Sequence, residues 1–391
     1  MPPTDPASAR ESSAPENQSP LDIAQIFRDL AAQAQGNGPP ASDVSVTTKK
    51  LVMSVFLDAD ENYSVSGYNE RAGQCFGKIY LGLDKGPEYD RQATKVNAAI
   101  QAITAPNAFA LALQETRKAI AANRNANDDA VTVAALAAVC KPWFDLPDGA
   151  DVKEGAVRLD LPATAPAQCP GDYTLPSGYI FFPAPFLKDF GEAYGQLLKR
   201  QVDHFIAGLR ATNTPPSGSI SRVIFAAFPN DDDLIARTLI GVMMGMLPTA
   251  SINLTNTMAA WRTNNGAAFT ALQTALKQST ETDPYLRARG VLLLPLMQAM
   301  QANPMPPQVW RTATRDHTIG TNPPAQVKRG EKVIVDIASA TREDLSANIT
   351  DVFPVFGGDR STAPHGTHAC PGYQAATGVM LGVLNGVMEP T

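Results

Sequence analysis

The chain has 391 residues, of which 44% are hydrophobic and 18% charged, and its formal net charge is −6 at pH 7. This composition supports a large buried core, and the acidic balance excludes the basic surface that a nucleic-acid-binding protein needs. No apolar run is long enough to span a membrane, and residues 1–20 are typical of a disordered tail rather than of a signal peptide. We therefore expect a cytoplasmic protein with a single domain over residues 21–391.

Six segments have the apolar spacing of helices. In chain order they lie within residues 21–35, 80–100, 131–148, 187–210, 233–261 and 283–307. The second begins at Pro87 and has acidic residues in its first turn, which is a favourable helix start. The third is expected to break at Pro142, and the fifth is expected to kink near residues 245–249, where Pro248 interrupts it.

The other segments have different patterns. Residues 50–57 form a compact apolar run, which predicts a strand. Residues 152–186 are rich in proline, glycine and aromatic residues, which predicts irregular structure. Residues 309–344 alternate strand-like runs with glycine-containing turns, which predicts a β-rich section between helices. The whole pattern is that of a mainly α protein with a small β-rich part.

Residues 355–386 hold the most informative cysteine. The four cysteines are widely scattered without a CxxC pair, so neither a disulfide scaffold nor a zinc site is predicted. Cys370 lies in the pattern G-x-H-x-C-x-G, and a buried apolar helix is predicted directly after Gly372. A thiol at a helix N-terminus faces the positive end of the dipole and free backbone N–H groups, which favours a thiolate. Cys370 could therefore be a ligand for a soft metal, a nucleophile or only a small buried side chain.

This loop resembles the haem-binding loop of the cytochrome P-450 superfamily. The resemblance covers residues 50–391 and is strongest after Asp233. It implies a helix-rich domain with a small β-rich subdomain, in which haem b lies between helix I, which corresponds to residues 233–261, and the helix that follows the cysteine. It further implies that Cys370 is the axial thiolate on iron. Phe356 and Gly372 of the same stretch are then further haem contacts.

The resemblance also implies residues for the haem propionates. Arg311 takes the place of the arginine that pairs with a propionate, and His368 the place of a second donor. At the start of helix C, Tyr89 stands where the family has a histidine, and the family's arginine is also replaced. Arg91 and Lys95 are nearby cations that compensate, unless they only form a solvated helix surface.

The distal helix departs from the family pattern. The A-G-x-(D/E)-T motif becomes G-M-L-P-T at residues 245–249, so Thr249 is kept and Pro248 replaces the acid. Thr249 and Asn253 are the candidate catalytic residues, with packing as the alternative for Asn253. In addition, Gln298 and Gln301 replace the family's E-x-x-R pair. Two amides can hydrogen-bond each other and the backbone, which leaves open whether they substitute for the pair.

The function implied at class level is a monooxygenase acting on a small or lipid-like apolar substrate, with ferredoxin and a reductase as redox partners. Because the distal acid that delivers protons to oxygen is replaced, a reaction driven by peroxide, which brings oxygen already reduced, is the more specific hypothesis. The five extra residues 360–364 resemble the loops of allene oxide synthase-like proteins and fungal diol synthases, which implies fatty-acid hydroperoxides as substrates. A non-catalytic haem-binding or recruitment domain is the remaining alternative. For the pocket we expect Met243, Met244, Leu247 and the aromatic stretch 179–182.

Overall fold

The computed structural model describes residues 43–145, 171–182, 187–320 and 324–389. The predicted tail, the predicted helix at residues 21–35 and residues 152–170 lie outside these ranges. The architecture is mainly α with a small β-rich part, which confirms the expected fold class.

Twelve helices lie in the described part of the chain. They are α1 Lys49–Leu57, α2 Ser66–Cys75, α3 Pro87–Gln101, α4 Ala105–Ala122, α5 Asp128–Phe144, α6 Gly171–Phe181, α7 Lys188–Ala211, α8 Ser219–Ala227, α9 Asp232–Gln278, α10 Pro284–Ala302, α11 Ile337–Ser346 and α12 Tyr373–Met388. Two short 3₁₀ turns, Tyr80–Gly82 and Phe353–Phe356, precede α3 and the cysteine loop. The predicted helices that begin at Pro87, near residue 187, near residue 233 and near residue 283 are confirmed.

The β-rich section forms two small sheets. The strands are β1 Val44–Val46, β2 Tyr63–Ser64, β3 Gln308–Ala313, β4 His317–Ile319, β5 Ala325–Val327 and β6 Lys332–Asp336. The first sheet has the order β1-β6-β3-β2, with β1 and β6 parallel and the other pairs antiparallel. The β4 and β5 strands pair with each other. The register sets Arg311 opposite Val333 on β6.

Three of the local predictions are wrong. Residues 50–57 are helical, because Thr48 caps α1 and Val52, Val55 and Phe56 bury a helical face. Helix α5 does not break at Pro142 but continues to Phe144, since a proline in the last turn removes only one backbone bond. The stretch predicted to be irregular contains helix α6.

Helix α9 does not leave helical geometry where a kink was predicted. Residues 245–249 stay in the helix, whereas the backbone departs from it at Thr263, Asn264, Asn265 and Gly266. Side-chain hydrogen bonds at Thr249 and Ser177, described below, bind two of the carbonyls near Pro248. The interruption by Pro248 is therefore accommodated without a break.

Helix α12 packs closely along α4 because three glycines lie on one of its faces. A Cβ at Gly378 or Gly382 would come within 3 Å of the backbone carbonyls of Ala105 or Phe109. A Cβ at Gly386 would come equally close to Thr116. This close approach fixes the position of α12, the helix that begins directly after the cysteine loop, against α4.

One described helix, α9, is long and apolar enough to cross a membrane, and α3 with α4 would also pass as a bent pair. However, 67% of the most apolar stretch of α9 is buried within the protein. Length and composition are therefore weak evidence for a membrane span, since the core helix of a globular protein has the same character.

Candidate functional site

A cavity of about 270 Å³ lies between the cysteine loop and helix α9. Its walls come from segments far apart in the sequence, and most of its lining is apolar. The loop contributes Cys370, Pro371 and Gly372, and α9 contributes residues from Gly241 to Asn253. The predicted residues Thr249, Asn253, Arg311, Phe356, His368, Cys370 and Gly372 all line this cavity.

Cys370 is held by backbone hydrogen bonds at the cavity wall. Its N–H donates to the carbonyl of Phe356 at 2.8 Å, and the N–H of Gly372 donates to its Sγ at 3.3 Å. Burial raises the pKa of the Cys370 thiol, while the Gly372 N–H and the charge of Arg360 act in the opposite direction. Burial thus keeps the thiol protonated unless a metal ion displaces the proton.

His368 has a buried ring nitrogen without a partner. Nδ1 makes no hydrogen bond within the described residues, although the ring bonds to the Leu83 backbone. Burial, together with the positive charges of Arg311 and Arg360, lowers the pKa of His368 to about 3. A neutral imidazole with a free nitrogen in a cavity wall is suited to bind a polar group inside the cavity.

Arg311 projects from β3 toward the same cavity. Its Nη1 donates to the Tyr68 hydroxyl at 2.6 Å and to the Trp310 carbonyl at 2.9 Å. Within the described residues its guanidinium forms no ion pair, and its other nitrogens make no hydrogen bond. The guanidinium therefore keeps donors free for an anionic group, and a carboxylate matches its forked geometry.

The α9 wall opposite the cysteine is open at Gly245, where an added Cβ would meet nothing within 4 Å. Thr249 Oγ1 donates to the Gly245 carbonyl at 2.7 Å. Pro248 has no N–H for the Met244 carbonyl, which instead accepts a long hydrogen bond of 3.5 Å from Ser177 Oγ. This wall presents hydroxyl and carbonyl groups.

The side chain of Asn253 is occupied by the backbone. Nδ2 donates to the carbonyls of Thr249 at 2.9 Å and Met305 at 3.0 Å, and Oδ1 accepts from the Met305 N–H at 3.1 Å. Both amide hydrogens are used, so Asn253 can offer a ligand only the second acceptor position of Oδ1. A second asparagine on α9, Asn256, donates to the Asn303 carbonyl at 3.4 Å and does not line the cavity.

Tyr80 contributes a free hydroxyl to the cavity wall. The residue is 3% exposed, and its hydroxyl makes no hydrogen bond within the described part of the chain. Burial raises the pKa of Tyr80, so its phenol stays protonated and can donate. Much of the remaining wall is aromatic, with contributions from Trp143, Phe144, Phe181 and Phe182.

Other predicted residues lie behind or outside the cavity. Tyr89 packs edge-on against His368 and donates to the Thr367 carbonyl at 2.7 Å, so it contacts the loop from behind. Arg91 is exposed and pairs with Glu88 on α3, away from the lining. Of the expected pocket residues, Met244 and the aromatic pair Phe181 and Phe182 line the cavity, whereas Met243, Leu247 and Tyr179 are core residues.

The two glutamines do not bond to each other among the described hydrogen bonds. Gln301 is fully buried and donates to the Ile349 carbonyl at 2.9 Å, while its Oε1 has no partner. Gln298 is exposed. Gln301 alone therefore ties α10 to the segment before the cysteine loop.

Ser177 and Tyr80 are two polar cavity residues among those that the sequence did not predict. Ser177 lies on α6, inside the stretch predicted to be irregular, so the sequence did not indicate which way its side chain points. Tyr80 precedes the proline that begins α3. Its side-chain direction depends on long-range packing, and the only available signal was an aromatic residue close to a predicted haem-contacting segment.

The donor set fits a flat metal cofactor with carboxylate groups. A thiol faces the cavity on one side, and Gly245 leaves open space on the α9 side. The free donors of Arg311 match acidic substituents at the edge of such a group. The unpartnered Nδ1 of His368 lies in the same wall, where an adjacent carboxylate would favour its protonation. These observations identify the residues that could hold a haem.

No protein-family model matches the sequence, and no curated protein matches it. Among solved structures, a mutant of the cytochrome P450 EryK in complex with erythromycin B is similar, with a TM-score of 0.62 and 16% sequence identity. The match covers 93% of this chain and 89% of that one. This likeness shows that the chain has the cytochrome P450 fold.

Proposed function

We propose that the protein is a haem-thiolate oxidoreductase, a monooxygenase at class level, that binds haem b through Cys370. One observation carries the proposal: Cys370, the unpartnered Nδ1 of His368 and the free donors of Arg311 line one cavity. The cytochrome P450 fold supports it.

The chain's own residues would hold the haem in defined ways. Cys370 Sγ would ligate the haem iron, and the Gly372 N–H, which hydrogen-bonds that sulfur, would moderate its electron donation. His368 and Arg311 bind the propionates, with Tyr89 supporting His368 from behind. When bound, a haem with a thiolate ligand supplies oxygen activation, since the thiolate favours O–O cleavage.

The cavity favours a mainly apolar substrate. Its aromatic wall binds apolar surface and excludes water, and Ser177 and Thr249 already donate their hydroxyl hydrogens to backbone carbonyls. Thr249 can still accept a hydrogen bond from a group bound above Gly245. A small organic or fatty-acid-derived molecule is therefore the substrate class, and ferredoxin with a reductase is the electron source in the monooxygenase form.

A peroxide-driven reaction is the second candidate, favoured by the absence of a carboxyl group from the wall. No aspartate or glutamate is among the described residues that line the cavity, and Pro248 takes the place of the usual distal acid. A peroxide brings oxygen already reduced and needs less proton delivery from the protein. Asn253 as the residue that orients a fatty-acid hydroperoxide stays a prediction, restricted to one acceptor position.

Haem reconstitution tests the proposal directly. The purified protein should bind one haem, and its reduced carbon monoxide complex should show the red-shifted Soret band of thiolate ligation. Cys370→Ser should abolish the red shift, whereas Cys75→Ala, which removes a buried thiol outside the cavity, should leave it unchanged. A protein that binds no haem, or a red shift that persists in Cys370→Ser, would refute the proposal.

Turnover assays then separate the candidates. Oxidation that requires ferredoxin, reductase and NAD(P)H supports the monooxygenase, and oxidation with hydrogen peroxide or a fatty-acid hydroperoxide alone supports the second candidate. Haem binding with no turnover under either condition supports the non-catalytic alternative.

A further inference from the structure

In the lengthened part of the cysteine loop, the side chain of Arg360 is packed against the protein. Residues 361–365 are exposed, whereas Arg360 is half-buried. Its Nη1 donates to the Ala369 carbonyl at 2.6 Å and to the Thr367 carbonyl at 3.2 Å. These two carbonyls flank His368, and Ala369 directly precedes Cys370. The insertion thus places a guanidinium behind the loop that carries the proposed ligands.

The charge of Arg360 is not neutralised by an ion pair. Within the described part of the chain it has no salt bridge to a carboxylate. The adjacent Asp359 instead accepts from the N–H and the hydroxyl of Ser361, at 2.9 and 2.6 Å. The positive charge of Arg360 acts to lower the pKa of both Cys370 and His368, which agrees with its place behind the loop.

We propose that Arg360 is a positioning residue of the cysteine loop that also places a fixed positive charge behind the Cys370 sulfur and makes the bound iron easier to reduce. The inference rests on the proposed haem site. It assigns a role to the extra residues 360–364 that the proposed reaction does not itself require.

The direction of the effect follows from electrostatics. Reduction of the ferric centre by one electron adds a negative charge, and a nearby cation in a poorly screened environment stabilises the reduced form. The same cation withdraws charge from the thiolate, which weakens its donation to iron and raises the potential further. Both effects have the same sign, so removal of the charge lowers the midpoint potential.

The test compares the midpoint potentials of the haem-loaded proteins, which are measured from the absorbance during a potentiometric titration with dithionite. Arg360→Gln and Arg360→Met remove the charge, and Arg360→Lys keeps it while giving up the guanidinium fork. Arg117→Gln is the matched control, since Arg117 pairs with Glu389 on the surface and lies outside the cavity. Two neutral variants are used so that, if one does not fold, the other still tests the effect of the charge.

The neutral variants should have a lower midpoint potential than the wild type. Arg360→Lys should retain most of the wild-type potential, and Arg117→Gln should match it. Equal potentials in the wild type and the neutral variants would overturn the proposal, as would an equal shift in Arg360→Lys. A wild-type protein without a Soret band would instead refute the proposed function.

Discussion

Asn253 and Met305 form a closed pair of hydrogen bonds, in which the amide of one binds both backbone groups of the other. Nδ2 donates to the Met305 carbonyl at 3.0 Å, and Oδ1 accepts from its N–H at 3.1 Å. Both residues are buried, with Asn253 4% and Met305 3% exposed. The distal helix α9 is thereby joined to the turn that leads into β3, the strand that carries Arg311.

Replacement of Asn253 by alanine should destabilise the fold. It leaves both backbone groups of Met305 unpaired in the interior, at a cost of about 2–4 kcal/mol in the free energy of unfolding. Urea unfolding measures the loss. Asn256→Ala, which removes one long bond at a half-buried site, should cost less than about 1 kcal/mol. Unchanged stability with lost turnover in Asn253→Ala would show a catalytic role instead.

Replacement of Arg311 by methionine should weaken haem binding. The guanidinium offers charge-assisted hydrogen bonds to a carboxylate, each worth about 1.5–3 kcal/mol, so affinity should fall about tenfold to a hundredfold. Transfer of haem to apomyoglobin measures the change as a faster release. Arg315→Met, at an exposed position near the end of the same strand, is the control. Equal release rates in the two variants would contradict the role of Arg311.

Tyr80 should recognise a single oxygen atom on a ligand. In the haem-loaded protein, Tyr80→Phe should weaken binding of 2-adamantanone by about threefold to tenfold, because one hydrogen bond to the ketone is lost. Binding of adamantane, which has no acceptor, should not change. Spectral titration of the Soret band measures both affinities. Equal effects on the two ligands, or loss of haem from the variant, would exclude this role.

Lys49 should stabilise the segment before the cysteine loop. Its Nζ lies 2.7 Å from the buried Asp344 and 2.8 Å from Asp351, and Asp351 accepts from the Phe353 N–H at the start of the 3₁₀ turn. Lys49→Met leaves the Asp344 carboxylate unpaired in the interior. Since Lys49 itself is partly exposed, the loss should be about 2 kcal/mol.

The Lys49 contribution should also depend on pH. Burial acts to lower the pKa of Lys49, but hydrogen bonds to Asp344 and Asp351 outweigh it and leave the pKa above its ordinary value of 10.5. A cation with a raised folded-state pKa stabilises the fold fully below pH 10.5, and this contribution disappears as the pH rises further. The stability difference between wild type and Lys49→Met should therefore be constant near neutral pH and shrink in strong alkali. A constant difference at all pH values would contradict the assignment.

Long helices were predictable because their apolar periods extend over many residues. Helices α7, α9, α10 and α12 agree with this pattern. The run at residues 50–57 was too short for its period to distinguish a helix from a strand, and the Thr48 cap decided the outcome. The backbone of α9 keeps helical φ/ψ at Pro248, and the Met244 carbonyl left without its helical donor accepts from Ser177, a residue far away in the sequence.

The site was predictable where one loop carries it. His368, Cys370 and Gly372 lie within a stretch of five residues, so a local pattern predicted that they share a site. The prediction for Arg311 rested on its position in the β-rich section. Tyr80 reaches the cavity through packing between distant elements, which no local pattern encodes. Likewise, sequence spacing gave no indication that backbone groups occupy the amide of Asn253.

The aromatic wall, together with the Ser177 and Thr249 hydroxyls already engaged by carbonyls, has a calorimetric consequence. Few lining groups remain to hold water, so a ligand that fills the cavity exchanges wetted apolar surface for dry contacts. Such binding should have a large negative heat-capacity change, and its enthalpy should become steadily more favourable on warming. The temperature dependence of the binding enthalpy thus reports how dry this cavity becomes when a substrate occupies it.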